Sequence, residues 1–263
     1  MKLNAVIIKQ HPVATYFVLA YAFTWLLLPL LLVNLALGLF GLLMPAVAAI
    51  VVVGLSEGKT GLKQLLRRVL IWRVHPLWYG VALGLPILLS VLAVGLGRLW
   101  GWPVQMQTAK LTPLLIAVFV LVVGEEIGWR GFALPQLLQR YSPLTASLLL
   151  GVLWAGWHLP MFMIPGTPMF ELPFTAYLGW VVGLTFLFTW LYQQTQGSLL
   201  LATLFHGAVN SLGVMNAAIG QTEWRWLLAA VYCMAALALV IAVRGNFRDR
   251  KSRSVFLVND HSA

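Results

Sequence analysis

Charge is scarce in this chain, and acid is scarcest of all. Only seven Asp and Glu occur in 263 residues, and charged residues of both signs make up 9%. A soluble domain carries roughly a quarter, so the composition excludes a water-surrounded globule. Cysteine is nearly absent, and the single Cys233 rules out a disulfide within the chain. Its apolar neighbours predict a buried, inert thiol. There is no internal repeat, no low-complexity tract and no mark of a second domain, so residues 1–263 read as a single membrane domain. The first apolar run shows no small-residue cleavage site and is long enough to be kept as a spanning helix.

What fills the chain instead is apolar residue, 61% of it, at a mean hydropathy of +0.89. Counting runs of spanning length predicts an all-α fold with about eight transmembrane helices. The expected spans are Val13–Val33, Leu35–Leu55, Leu77–Leu99, Thr112–Leu134, Pro143–Ile164, Phe174–Tyr192, Ser198–Ala217 and Trp224–Val243. An even count puts both termini on one side. With the termini in the cytoplasm, only Arg98, Lys110 and Arg225 of the 17 Lys and Arg fall outside, while Arg130 lies within the membrane. That bias satisfies the positive-inside rule and predicts a multi-pass cell-membrane protein. It also accounts for the net charge of +10 without a nucleic-acid partner. Residues 244–263 become a basic cytoplasmic tail.

The segment Gly61–Pro76 is too polar to span. Leu62, Leu65, Leu66, Val69 and Leu70 recur at helical spacing, with Lys63, Arg67 and Arg68 on the opposite face. Such a pattern predicts an interfacial helix lying on anionic lipid. Trp72, Trp78, Trp100 and Trp102 fall near the ends of the expected spans, as interface aromatics do.

Two adjacent carboxylates, Glu125 and Glu126, interrupt the fourth apolar run. An ionised carboxylate at that depth costs at least about 2.5 kcal/mol, so it implies a partner or a function. Glu126 and Arg130 are spaced i, i+4 and share a helical face, so they can pair. Arginine suits a buried pair better than lysine. Glu125 points about 100° away around the helix, so the same arginine cannot serve both carboxylates equally. Glu125 is left as the freer group, suited to act as a general base. The alternative is that both carboxylates merely bind Arg130, or cap a helix break among Gly124, Gly128 and Gly131.

His158 and His206 each fall inside another apolar span. Singly, each is as readily a packed core residue as a catalytic one. The ring of Pro160 disturbs the carbonyl of Gly156 four residues back, which predicts a bend near His158. His206 and Asn210 are spaced i, i+4, and an imidazole beside an amide suits a developing oxyanion. At 1.5 Å per residue, these groups all reach the middle of a ~30 Å hydrocarbon core from three separate spans.

The octapeptide Gly-Glu-Glu-Ile-Gly-Trp-Arg-Gly from Gly124, Trp154 four residues before His158, and His206 four residues before Asn210 follow one another in order. Together they resemble the three signature motifs of the CPBP family. This is the family of CAAX prenyl protease 2, the type II CAAX endopeptidases and lysostaphin resistance protein A, also called Abi. Where this chain has Trp154, the family often has Phe. The motifs lie in a core at residues 111–217.

The resemblance implies an intramembrane endopeptidase that hydrolyses peptide bonds of membrane-associated or lipidated proteins. In that scheme Glu125 activates water, His158 helps hold it, and His206 with Asn210 stabilises the oxyanion. Glu126, Arg130 and Trp154 act in support. Other schemes of membrane proteolysis lack their residues. No His is followed by Glu, Gly95-Leu96-Gly97 leads into Arg98 rather than Asp, and no Gly-x-Ser-Gly occurs. The zinc-binding His-Glu-x-x-His helix is thereby excluded. Glu125, His158 and His206 would still suffice for a three-ligand zinc site, although a metal-independent glutamate mechanism is the expectation. Two other classes remain open: a non-proteolytic bacteriocin-immunity or membrane-binding factor, and a transporter relaying protons through the glutamates.

Overall fold

The computed structural model describes residues 8–34, 38–102, 121–167, 169–215 and 221–243. The start of the expected fourth span, Lys2, Lys110 and the tail at 244–263 lie outside these residues. Every regular element among the described residues is helical: α1 Pro12–Leu27, α2 Pro29–Val33, α3 Met44–Ser56, α4 Gly58–Arg67, α5 Leu77–Leu99, α6 at 121–126, α7 Leu134–Leu138, α8 Pro143–Trp157, α9 Phe174–Gln194, α10 Leu199–Met215 and α11 Gln221–Ala242. Between α6 and α7 the chain winds as a π-helix, Ile127–Ala133. The protein is an all-α membrane protein. Among the described residues, Leu77–Leu99, Phe174–Gln194 and Thr222–Ala242 are long and apolar enough to cross a bilayer.

Prolines explain why other expected spans are shorter. Pro29 opens a new short helix, so the first run breaks after Leu27. Pro45 sits in the first turn of α3, behind a 3-10 turn at Leu39–Leu43. Pro160 stops α8 at Trp157, and the chain continues as a 3-10 turn at Leu159–Phe162. The expected bend at His158 is therefore a helix end. At the other end of α8, Pro143 occupies the first turn, and the Ser142 hydroxyl accepts from the Thr145 amide at 3.2 Å. This is the N-cap arrangement that satisfies an otherwise orphaned donor.

The packing places the π-helix at a crossroads. α9 packs between α8 and α11, α10 and α11 pack on α5, and α1 packs on α3. The π-helix touches α3, α4, α8 and α10. Its close seat on α3 depends on Gly128, where a Cβ would come within 2.5 Å of the Pro45 side chain and the Tyr16 hydroxyl.

Two expectations are corrected. Cys233 is exposed on the outer side of α11, with its Sγ 3.2 Å from the Gly179 carbonyl. In a membrane the outside of a helix is as apolar as the core, so apolar neighbours do not predict burial. Arg68 leaves the polar face of the interfacial helix. α4 ends at Arg67, and a 3-10 turn at Arg68–Leu70 swings Arg68 inward. Its Nη1 donates to the Gly131 carbonyl at 3.0 Å and to the Tyr192 hydroxyl at 2.9 Å.

Candidate active site

Each glutamate of the pair has its own partners. Arg130 Nη1 donates to Glu126 Oε1 at 3.0 Å, and both side chains are 0% exposed. His206 Nδ1, on α10, reaches the same oxygen at 2.7 Å. A carboxylate can only accept, so this geometry puts the proton on Nδ1 and leaves Nε2 as the outward nitrogen. Glu125 makes a separate contact: the indole Nε1 of Trp154 donates to its Oε2 at 2.9 Å. Glu125 keeps 2% exposure whereas Glu126 is sealed.

Trp154 links the two halves. Besides donating to Glu125, its carbonyl accepts from His158 Nδ1 at 3.0 Å. This hydrogen bond crosses the last turn of α8 and leaves Nε2 of His158 outward as well. The His158 ring lies edge-on to Trp157 and Tyr177, at centroid distances of 4.6 and 5.4 Å. The face of Trp154 covers the Arg130 guanidinium at 4.0 Å, and Phe188 of α9 covers it at 3.7 Å. His206 packs edge-on against Trp154 and Phe188.

That sandwich explains how a fully buried arginine is tolerated. Only one of its nitrogens has a hydrogen-bond partner; Nε and Nη2 are buried without one, as is Glu126 Oε2. Two aromatic faces supply cation–π attraction instead, worth about 2 kcal/mol or more when desolvated. The i, i+4 spacing that marks an α-helical pair persists here, although the chain beyond Glu126 is wound as a π-helix. Such π segments interrupt the hydrogen-bond ladder and recur at functional sites.

The structure thus brings Glu125, Glu126, Arg130, Trp154, His158 and His206 into one connected cluster. Asn210 follows His206 by one turn on α10 and is half-buried. Among the described residues, none of the hydrogen bonds at the site involves it. The partner of His206 is Glu126, a pairing that the spacing along α10 gives no sign of. Phe188 was invisible in the sequence, because one aromatic in an apolar run carries no signal. Tyr16 was likewise missed: it is fully buried against Trp129 and Phe132, with centroids at 5.6 and 5.0 Å.

The donor chemistry of Glu125, His158 and His206 suits zinc, and both histidines have Nδ1 tied in the way second-shell contacts orient metal ligands. Yet among the described residues no three His, Cys, Asp or Glu side chains are grouped as a metal site would require.

Residues 107–212 match the family described as type II CAAX prenyl endopeptidase Rce1-like. Over 110 residues the chain is 28% identical to CAAX prenyl protease 2 of Methanococcus maripaludis, an alignment covering 39% of this chain and 40% of that relative. The match therefore spans well under half the length of the curated protein. Residues 107–212, the segment similar to that family, contain Glu125, Glu126, Arg130, Trp154, His158 and His206.

Proposed function

We propose that this protein is an intramembrane endopeptidase of the CAAX prenyl protease 2 type, acting on membrane-associated, prenylated or otherwise lipid-anchored proteins. The observation that carries this reading is the division of labour between adjacent carboxylates. Glu126 is locked between Arg130 and His206, whereas Glu125 has one indole donor and a trace of open surface. Glu125 is therefore the group that takes a proton from water as that water attacks the scissile carbonyl. The same carboxyl then delivers the proton to the leaving amine. His158, with Nε2 outward, holds the water.

His206 and the Asn210 amide stabilise the oxyanion. To donate through Nε2, His206 must carry protons on both ring nitrogens. Glu126 accepts from Nδ1 at 2.7 Å, and Arg130 holds Glu126 in place at 3.0 Å. Trp154 fixes both Glu125 and His158, so one indole sets the distance between base and water. In the proposed topology the chain crosses the bilayer eight times with both termini in the cytoplasm, as the Lys and Arg bias supports.

The test is cleavage by the purified, reconstituted protein. Glu125→Gln keeps the shape and the acceptor for Trp154 but removes the base. Cleavage of a prenylated CAAX peptide should fall by roughly 10²–10⁴-fold, with normal folding. Wild-type cleavage rates in that variant would overturn the mechanism. Full biological activity of both Glu125→Gln and His206→Ala would favour a binding factor, and proton-driven solute flux would favour a transporter. Zinc content measured on the same preparations reports on the metal question directly.

A further inference from the structure

Between the apolar α3 and the spanning α5, the chain must run along one face of the bilayer. There it carries Lys59, Lys63, Arg67, Arg68 and Arg73, and the only acid in the first 124 residues is Glu57. Gly58, at φ +69°, makes the turn that starts this run, a left-handed conformation that favours glycine. Lys59, Lys63, Arg67 and Arg73 are exposed. So are Leu66, Leu70 and Trp72, at 45, 73 and 57%. Arg73 lies over the Trp72 ring at 5.1 Å. Cations interleaved with outward apolar and aromatic side chains match the chemistry of an anionic lipid surface: headgroup phosphates above, acyl chains below.

The inner side of the same segment is fastened to both halves of the cluster. Arg68 holds the π-helix through the Gly131 carbonyl, and Leu65 packs where a Gly131 Cβ would come within 3.1 Å of it. Ser198 donates its hydroxyl to the Ile71 carbonyl at 2.6 Å and accepts from the Leu201 amide at 3.2 Å, capping α10. The π-helix carries Arg130 and directly follows the glutamates, and α10 carries His206. A shift of the basic segment is thus passed to both.

We propose that residues 58–73 form a binding surface for anionic phospholipid of the surrounding bilayer, and that its occupancy orders the π-helix and the start of α10 through Arg68 and Ser198. The inference does not depend on what reaction the cluster catalyses, because ordering is read on the backbone. Being integral, the protein already lies in the bilayer, so the lipid's action is on local order rather than on attachment.

The experiment is hydrogen exchange of the full chain in nanodiscs of phosphatidylcholine, alone and with increasing phosphatidylglycerol. Exchange over residues 127–133 and 199–203 should slow several-fold as phosphatidylglycerol is added, and high salt should reverse the effect. Removing Lys63 or Arg67 as glutamine should raise the anionic fraction needed for half the effect by about fivefold each. Arg68→Gln should uncouple the π-helix, leaving protection of 58–67 by phosphatidylglycerol intact while that of 127–133 disappears. Tyr192→Phe, which keeps the Gly131 bond, should retain the coupling. Exchange at 127–133 that ignores phosphatidylglycerol, or that responds equally in Arg68→Gln, overturns the proposal. Equal protection by zwitterionic lipid overturns it as well.

Discussion

The charged centre at Glu126 and Arg130 and the basic strip from Lys59 to Arg73 meet at the Arg68–Gly131 hydrogen bond, yet they hold charge in opposite ways. In the centre every charge is out of reach of solvent, so each must be answered by a fixed neighbour: Arg130 by one carboxylate oxygen and two aromatic faces, Glu126 by an arginine and an imidazole. In the strip Lys59, Lys63, Arg67 and Arg73 stay exposed, and Leu66, Leu70 and Trp72 beside them face outward too. A desolvated ion is costly the moment a partner is removed, whereas an exposed one loses little. The comparison predicts a steep gradient of mutational cost from centre to strip.

The steepest point is Arg130. Arg130→Ala leaves Glu126 buried with only His206 and empties the space between Trp154 and Phe188. A loss of about 3–5 kcal/mol is expected, seen as a lower midpoint of thermal unfolding in detergent and reduced accumulation in membranes. Adding Glu126→Gln should restore part of it, since the unpaired charge is gone. An unchanged unfolding midpoint in Arg130→Ala would break the comparison at its root, because the pair would then carry no energetic weight.

Next comes the seat of the π-helix. Gly128→Ala puts a Cβ against Pro45 and the Tyr16 hydroxyl, both within 2.5 Å, and α3 has no flexible side-chain end there to yield. Overpacking of this kind costs about 1–3 kcal/mol. By contrast Gly80, with nothing near its Cβ position on α5, should accept Ala within about 0.5 kcal/mol. Thermal unfolding of the two variants side by side separates a packing requirement from a general dislike of changed glycines.

These positions also show where reading the sequence stopped short. The all-α class and the limits of Leu77–Leu99 followed from apolar run length, because a bilayer fixes how long a spanning helix must be. The Glu126–Arg130 pair followed from spacing along one helix. Long-range choices did not. The π winding sits where Gly128 approaches Pro45, the His206–Glu126 bond joins residues on separate helices, and Arg68 turns inward to a carbonyl of the π-helix. Periodicity marks the face a side chain takes within its own helix, and a 3-10 turn at Arg68–Leu70, inside the segment expected to be one interfacial helix, was enough to move Arg68 off it. Cys233 went astray for a different reason, since apolar surroundings mean burial only where water is outside.

Trp154→Phe tests the join between the two carboxylates. The phenyl ring still covers Arg130, but the donor to Glu125 Oε2 is lost. With Glu125 slightly exposed, water can replace that bond, so about 1 kcal/mol of stability should go. Cleavage should slow roughly tenfold, since a mispositioned base costs rate more than stability. A stability loss as large as that of Arg130→Ala would move Trp154 from a positioning residue to part of the charge-neutralising core.

The smallest effect belongs to the strip. Lys63 is exposed on α4 with no ion-pair partner among the described residues. In neutral detergent, where no lipid anion faces it, Lys63→Gln should therefore change unfolding by less than about 0.5 kcal/mol. The same variant in phosphatidylglycerol nanodiscs should lose part of the lipid-induced stabilisation, at about 1 kcal/mol for a cation at an anionic surface. Raising the salt should erase the difference between wild type and variant, because charges there are screened within about a Debye length. The contrast with Arg130 is then one of medium as much as of position, as the buried pair should show no such dependence on lipid or salt. A Lys63→Gln protein already destabilised in neutral detergent would mean that the strip is held by contacts within the protein, and the gradient from centre to surface would flatten.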